Sequence, residues 1–214
     1  NPSNVMDYVT FASLGNATDF GDRTVSQFSV TGLSSSTRGL FAGGNHGSDS
    51  NVIDYITIAS TGDATDFGDM TVGKYGVAGA GSTTRGILFG GGTATYTNVI
   101  EYVAYTSTGN GTDFGDSTAA RRNSGAVSSS TRLCALGGFD NSGVSNIIDY
   151  ITIASTGNAT DFGDLSAARN PANSNASSKV RGVIGGGVES GRVNTIEYIT
   201  IASTGNATDF GDCS

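Results

Sequence analysis

The sequence predicts an all-β chain in which one four-stranded unit recurs, and three observations carry that prediction. The string Asp-Phe-Gly-Asp occurs five times, with its Phe at Phe20, Phe67, Phe114, Phe162 and Phe210, at spacings of 47, 47, 48 and 48. Twelve residues before each Phe stands a Tyr preceded by an acid: Asp7-Tyr8, Asp54-Tyr55, Glu101-Tyr102, Asp149-Tyr150 and Glu197-Tyr198. No segment sustains a helical apolar period over ten or more residues.

Each strand of the unit has its own signature. The first is short and built from Gly, Ala, Val and Ser (Gly76 to Gly81, Ser124 to Ser129). Small side chains suit an innermost strand, where neighbouring sheets converge. The second is led by Arg and ends in paired glycines: Arg38 to Gly44, Arg85 to Gly92, Arg132 to Gly138 and Arg181 to Gly187. The third, as in Asn51 to Ala59, is rich in Ile, Tyr and Thr with apolar residues on both alternating faces, which suits a strand covered on both sides. A Thr-Gly-Asp or Thr-Gly-Asn turn follows, and Asp-Phe-Gly-Asp completes a hairpin as the fourth strand.

A period of about 47 residues falls among the blade-type repeats, and four-stranded sheets repeated radially make a β-propeller. The expected organisation is a single repeat domain over residues 1–214. With the strands ordered as in the kelch repeat, which the unit resembles, its complete blades are 23–69, 70–116, 117–164 and 165–212, and residues 1–22 supply only an outer hairpin. Five outer hairpins thus face four inner ones. The missing inner hairpin belongs to a longer chain or to another subunit, or the fifth blade is incomplete. The absence of an initiator Met favours a processed form or a piece of a longer chain. Asn1-Pro2-Ser3 carries no basic or apolar leader region.

The order Arg-led strand, Gly-Gly, acidic-Tyr and large aromatic resembles the kelch repeat over nearly the whole chain. Two departures stand out: the aromatic is Phe rather than Trp, and it lies farther from the Tyr, which lengthens the outer hairpin. The Ser-Thr-Gly-Asn-Ala-Thr-Asp-Phe-Gly-Asp wording also resembles repeat proteins encoded by marine and cyanobacterial phages. That second resemblance implies a virion or extracellular location, in a tail fibre or other appendage.

Composition removes several function classes. The chain has 214 residues with 36% hydrophobic and 14% charged, a net charge of −8 and a single His, His46. The acidic balance argues against nucleic acid as a partner. One His argues against His-based metal centres and triads, including the copper chemistry of some kelch-like proteins. No run of 18 apolar residues is present, so no membrane insertion is expected. Cys134 and Cys213 make no disulfide framework. Cys134 replaces an apolar strand residue and reads as a core thiol, whereas Cys213 is placed to pair with another chain.

The repeated motifs read as structure. Asp-Phe-Gly matches the kinase metal-binding triplet only in letters, since no Gly-rich loop or catalytic loop accompanies it. Its two carboxylates fall short of the oxygens Ca²⁺ needs; capping a turn, bonding backbone amides or pairing with a repeated Arg is the better reading. The Gly-Gly pairs are not phosphate loops, since no Lys-Ser or Lys-Thr follows. Asn16, Asn110, Asn158 and Asn206 begin sequons inside a turn that wants Gly-Asn for its geometry alone. No cofactor, metal or catalytic residue is expected, and the chain reads as no enzyme; three arginines are too few for a sialidase-type site.

The strand order places the recurring turns on one surface and the varying loops on the other. The varying loops are 45–50, 93–97, 139–145 and 188–193. The crossings put Gln27-Phe28, Lys74-Tyr75, Arg121-Arg122 and Arg169-Asn170 at equivalent positions. With Arg192 these residues predict a comparatively basic and aromatic surface. Residues on loops held by a rigid scaffold tend to bind, so Phe28, Tyr75, Tyr96, Arg121, Arg122, Asn170 and Arg192 are the candidate ligand-binding set. A cell-surface glycan is one expected partner. Other virion or appendage subunits, in a purely structural role, are the alternative. Loops that merely drift would look the same.

Overall fold

A computed structural model describes residues 2–171, 174–189 and 191–214. Every element in it is a β-strand, and every strand pairing is antiparallel. An N-terminal hairpin joins β1 (Ser3–Tyr8) to β2 (Thr18–Gln27). Four four-stranded sheets follow. Sheet 1 holds β3 (Thr31–Ser34), β4 (Arg38–Ala42), β5 (Val52–Thr57) and β6 (Thr65–Asp69), and sheet 2 holds β7 (Ala78–Gly81), β8 (Arg85–Phe89), β9 (Val99–Ala104) and β10 (Thr112–Asp116). Sheet 3 comprises β11 (Gly125–Ser128), β12 (Arg132–Leu136), β15 (Ile147–Thr152) and β16 (Thr160–Asp164), with the two-residue strands β13 (Phe139–Asp140) and β14 (Gly143–Val144) forming a small hairpin in its middle loop. Sheet 4 has β17 (Asn175–Ser177), β18 (Arg181–Gly185), β19 (Thr195–Thr200) and β20 (Thr208–Asp212). Each sheet uses consecutive strands, apart from that inserted hairpin.

The core lies between the sheets. One cluster joins Leu40, Ile53 and Phe67 of sheet 1 to Leu88, Val103 and Tyr105. A second joins Ile87, Phe89 and Phe114 to Leu133, Ile151 and Ile153, and a third joins Leu136, Ile148 and Phe162 to Ile184, Ile199 and Ile201. Strand β8 shows why: Ile87 and Phe89 face sheet 3, while Leu88 between them faces sheet 1. Alternate side chains of a strand point to opposite faces, so a sheet buried on both sides needs apolar residues at both parities.

The inner strands approach closely enough to require matched sizes. A Cβ on Gly86 would lie 2.4 Å from Leu33 Cδ1, and one on Gly182 would lie 2.4 Å from Val127 Cγ2. Between sheets 2 and 3 the sizes invert, with the small Ala80 packed against the cluster that contains Leu133. One large residue per junction is the rule.

The recurring motifs carry the remaining structure. Each Tyr meets the Phe of its own hairpin edge to face, with ring centroids 5.9 to 6.1 Å apart. The repeated arginines stack on those Tyr rings, Arg38 on Tyr55, Arg85 on Tyr102, Arg132 on Tyr150 and Arg181 on Tyr198. Three of them also reach the next unit: Arg38 donates to Tyr105 O, Arg85 to Ile153 O and Arg132 to Ile201 O.

Candidate functional site

The site begins where the chain enters each sheet. Two consecutive residues there, in extended backbone, point to opposite sides. At the first, the carbonyl is bound by the preceding sheet's paired glycines: Gly44 N–H donates to Lys74 O, Gly91 N–H to Arg121 O and Gly138 N–H to Arg169 O. Its side chain turns inward and meets the acid that precedes Tyr on the third strand of its own sheet. Lys74 Nζ is 2.6 Å from Glu101 Oε2, and Arg121 and Arg169 pair with Asp149 and Glu197. All six side chains are buried.

Each of these carboxylates, and Asp54 in sheet 1, also accepts a hydrogen bond from a second direction. The Glu residues accept backbone N–H groups, from Thr71 at 2.7 Å and Ser166 at 2.8 Å. The shorter Asp54 and Asp149 accept the hydroxyls of Thr24 and Thr118 instead. Arg121 Nη1 also donates to Gly137 O at 2.8 Å and Ile147 O at 2.7 Å. Burial lowers the Arg121 pKa and the Asp149 charge opposes that shift. Sheet 1 reaches the same end differently. Its inward position is Gln27, and the cation comes from Arg23, 3.2 Å from Asp54 Oδ2 and bonded to Gln27 Oε1.

This corrects the expected basic surface. Lys74, Arg121 and Arg169 belong to the frame, and Arg121 is withdrawn from the candidate binding set because its guanidinium is buried in an ion pair. The second residue of each lead-in lies on the other side of the strand and enters the pairings of the varying loops. Phe28 pairs with Asn45, Tyr75 with Gly92, Arg122 with Phe139 and Asn170 with Val188. Asn45, Gly92 and Val188 pair onward with Asp49, Tyr96 and Arg192, and Phe139 with Val144. Each sheet therefore carries a small three-membered ladder on the varying surface. Ser190, inside the fourth of its loops, lies outside the described residues.

Three of the remaining six candidates come together. The Arg122 guanidinium lies 5.2 Å from the Tyr75 ring centroid, 5.1 Å from that of Tyr96 and 5.8 Å from that of Phe139, and it donates to the Tyr75 hydroxyl. All four side chains are half-buried. Phe28, half exposed, holds the Tyr75 and Arg122 position in the first ladder, beside a polar hollow of about 310 Å³ lined by Ser26, Gln27, His46, Ser48 and Asp49. Asn170 and Arg192 occupy the fourth ladder; Asn170 is buried and Arg192 exposed. Phe139 is the member the sequence reading missed. It follows Gly137-Gly138 directly, at the position of Asn45, Gly92 and Val188, and that shared offset was the available signal.

A larger hollow of about 380 Å³ opens among Ser82, Thr83, Ser129, Ser130, Ser178 and Lys179. It lies at the inner turns, where the repeats are alike. Among the described residues no group of three or more His, Cys, Asp or Glu is placed to hold a metal ion. No family model matches the chain, and no curated protein matches it.

Proposed function

We propose that the chain is a kelch-like β-propeller that acts without catalysis, as a recognition module of a virion or extracellular appendage, and that its varying surface binds a surface carbohydrate. The four antiparallel four-stranded sheets, joined through cores between neighbours, support the blade reading. The N-terminal hairpin stands as the outer half of a further blade.

One observation carries the binding reading: Arg122 is held among Tyr75, Tyr96 and Phe139 on the surface where the repeats differ. Aromatic rings present rigid apolar area at low entropic cost, with a hydroxyl or guanidinium beside it for hydrogen bonds. That pairing suits a sugar ring, which has an apolar face and a hydroxyl rim. The ion pairs beneath fix the lead-in backbone, so the cluster is positioned before any ligand arrives.

The test is a carbohydrate-array screen of the chain beside a Tyr75→Ala/Arg122→Ala variant. Selective binding that the variant loses is the expected result. Silence from both, with the fold intact by circular dichroism, overturns the reading in favour of its alternative, an assembly component whose varying loops contact other subunits. Aromatic residues and Arg are also enriched at protein–protein interfaces, and the half-exposed Phe28 favours that second reading.

A further inference from the structure

Neighbouring units are joined by one interface used four times. The outer turn of each unit docks on the Asp-Phe-Gly-Asp strand of the unit before it. Gly62, Gly109, Gly157 and Gly205 N–H donate to the carbonyls of Phe20, Phe67, Phe114 and Phe162, each at 2.7 Å. Two residues on, Ala64, Gly111, Ala159 and Ala207 N–H donate to Asp22, Asp69, Asp116 and Asp164. The residue between them, Asp63, Asn110, Asn158 or Asn206, accepts the N–H of the same four Asp residues at 3.0 Å.

This interface leaves one unmatched half at each end of the described molecule. Phe210 is 57% exposed, against 2% for Phe67. A Cβ on Gly68 would lie 2.6 Å from the docked Gly109 carbonyl, whereas one on Gly211 would meet nothing within 4 Å. At the other end, Gly15-Asn16-Ala17 repeats the wording of Gly157-Asn158-Ala159, and Ala17 is exposed where the docked Ala64, Ala159 and Ala207 are half-buried. Phe11 is fully exposed; its equivalents Tyr105, Ile153 and Ile201 are buried against the preceding sheet, and Ile58, which follows the hairpin that lacks inner strands, is 44% exposed. Arg181 is exposed, while Arg38, Arg85 and Arg132 at its position each bind the carbonyl of one of those three residues.

We propose that the chain associates head to tail with a second copy of itself. The Phe11 and Gly15-Asn16-Ala17 end of one copy docks on the Arg181 and Phe210-Gly211-Asp212 end of the next. A second copy is the fitting partner because both halves already meet four times within one chain. The junction of the N-terminal hairpin with sheet 1 makes the same three hydrogen bonds although that hairpin lacks inner strands. The interface joins two different surfaces, so it propagates into a ring or a filament rather than ending as a symmetric dimer. It is independent of what the varying surface binds.

Two variants test it by sedimentation velocity and light scattering of the 214-residue chain. Phe11→Asp blocks one end and Phe210→Asp the other, and both side chains are exposed. The wild-type mass rises with concentration above 21.5 kDa, each variant alone stays monomeric, and an equimolar mixture gives a heterodimer and nothing larger. Wild-type chain that remains monomeric overturns the proposal. So does association that either variant leaves unchanged, or a mixture that fails to pair. Arg181→Glu blocks the second end without touching the Phe210 ring, should Phe210→Asp lose its fold.

Discussion

Lys74 Nζ lies 2.6 Å from Glu101 Oε2 with both side chains wholly buried, while the next residue, Tyr75, stands on the opposite side of the strand under the Arg122 guanidinium. One step along an extended backbone separates the frame from the candidate binding surface. The same division recurs at Arg121 and Arg122. It explains how one surface differs from unit to unit while the sheets beneath it do not.

Sheet 1 offers an internal test of the buried pair. Its cation sits at Arg23, where sheets 2 to 4 carry Met70, Ser117 and Leu165, and its inward position is Gln27, where they carry Lys74, Arg121 and Arg169. Arg23→Met alone leaves Asp54 buried without its cation, at a cost of about 3–5 kcal/mol. Adding Gln27→Lys rebuilds the arrangement of sheet 2 and recovers most of that loss. Urea unfolding of the single and double variants reads both effects.

That division was only partly legible in the sequence. Period, strand order and the positions of the acids Asp54, Glu101, Asp149 and Glu197 follow from recurrence, the burial of those acids does not, and the structure holds antiparallel four-stranded sheets where the motifs placed strands. The error at Arg121 came from treating two adjacent basic residues as one patch. Strand parity sends them to opposite faces. The signal was present: Lys74, Arg121 and Arg169 keep one charge in register with a kept acid, while Tyr75, Arg122 and Asn170 change. The Arg122 cluster was harder to see, because it joins Tyr75 and Tyr96 of sheet 2 to two residues of sheet 3, across a junction that no local pattern encodes.

Size matching at the inner strands gives a second prediction. Gly182→Ala drives a Cβ into Val127 at a site with no slack, and overpacking of this kind costs about 1–3 kcal/mol. Val127→Ala in the same chain relieves it. The double variant is therefore more stable than the sum of the two single losses, a coupling that a double-mutant cycle by thermal unfolding measures.

The two thiols separate by reactivity. Cys134 is buried, and burial pushes its pKa from the ordinary 9.0 up to about 12, while Cys213 is exposed. A maleimide at neutral pH therefore labels one thiol per native chain and two after unfolding, as intact mass shows. The Cys134 thiol stays protonated in the folded chain at a pH where the unfolded chain ionises it. Its contribution to stability is complete below pH about 9 and falls as pH rises from there towards 12. Burial raises the Tyr105 phenol in the same direction. A Cys134→Ala variant loses less stability across that window than the parent does.

The most direct measurement is equilibrium unfolding of two neighbouring substitutions, Arg121→Met and Arg122→Met. The first strands Asp149 in the core and is expected to cost about 3–5 kcal/mol. The second removes contacts of a half-buried guanidinium with three rings and is expected to cost about 1–2 kcal/mol, in a chain that keeps its native circular dichroism. Equal losses, or a larger loss at Arg122, would contradict the assignment of the inward cation to the frame and its neighbour to the surface.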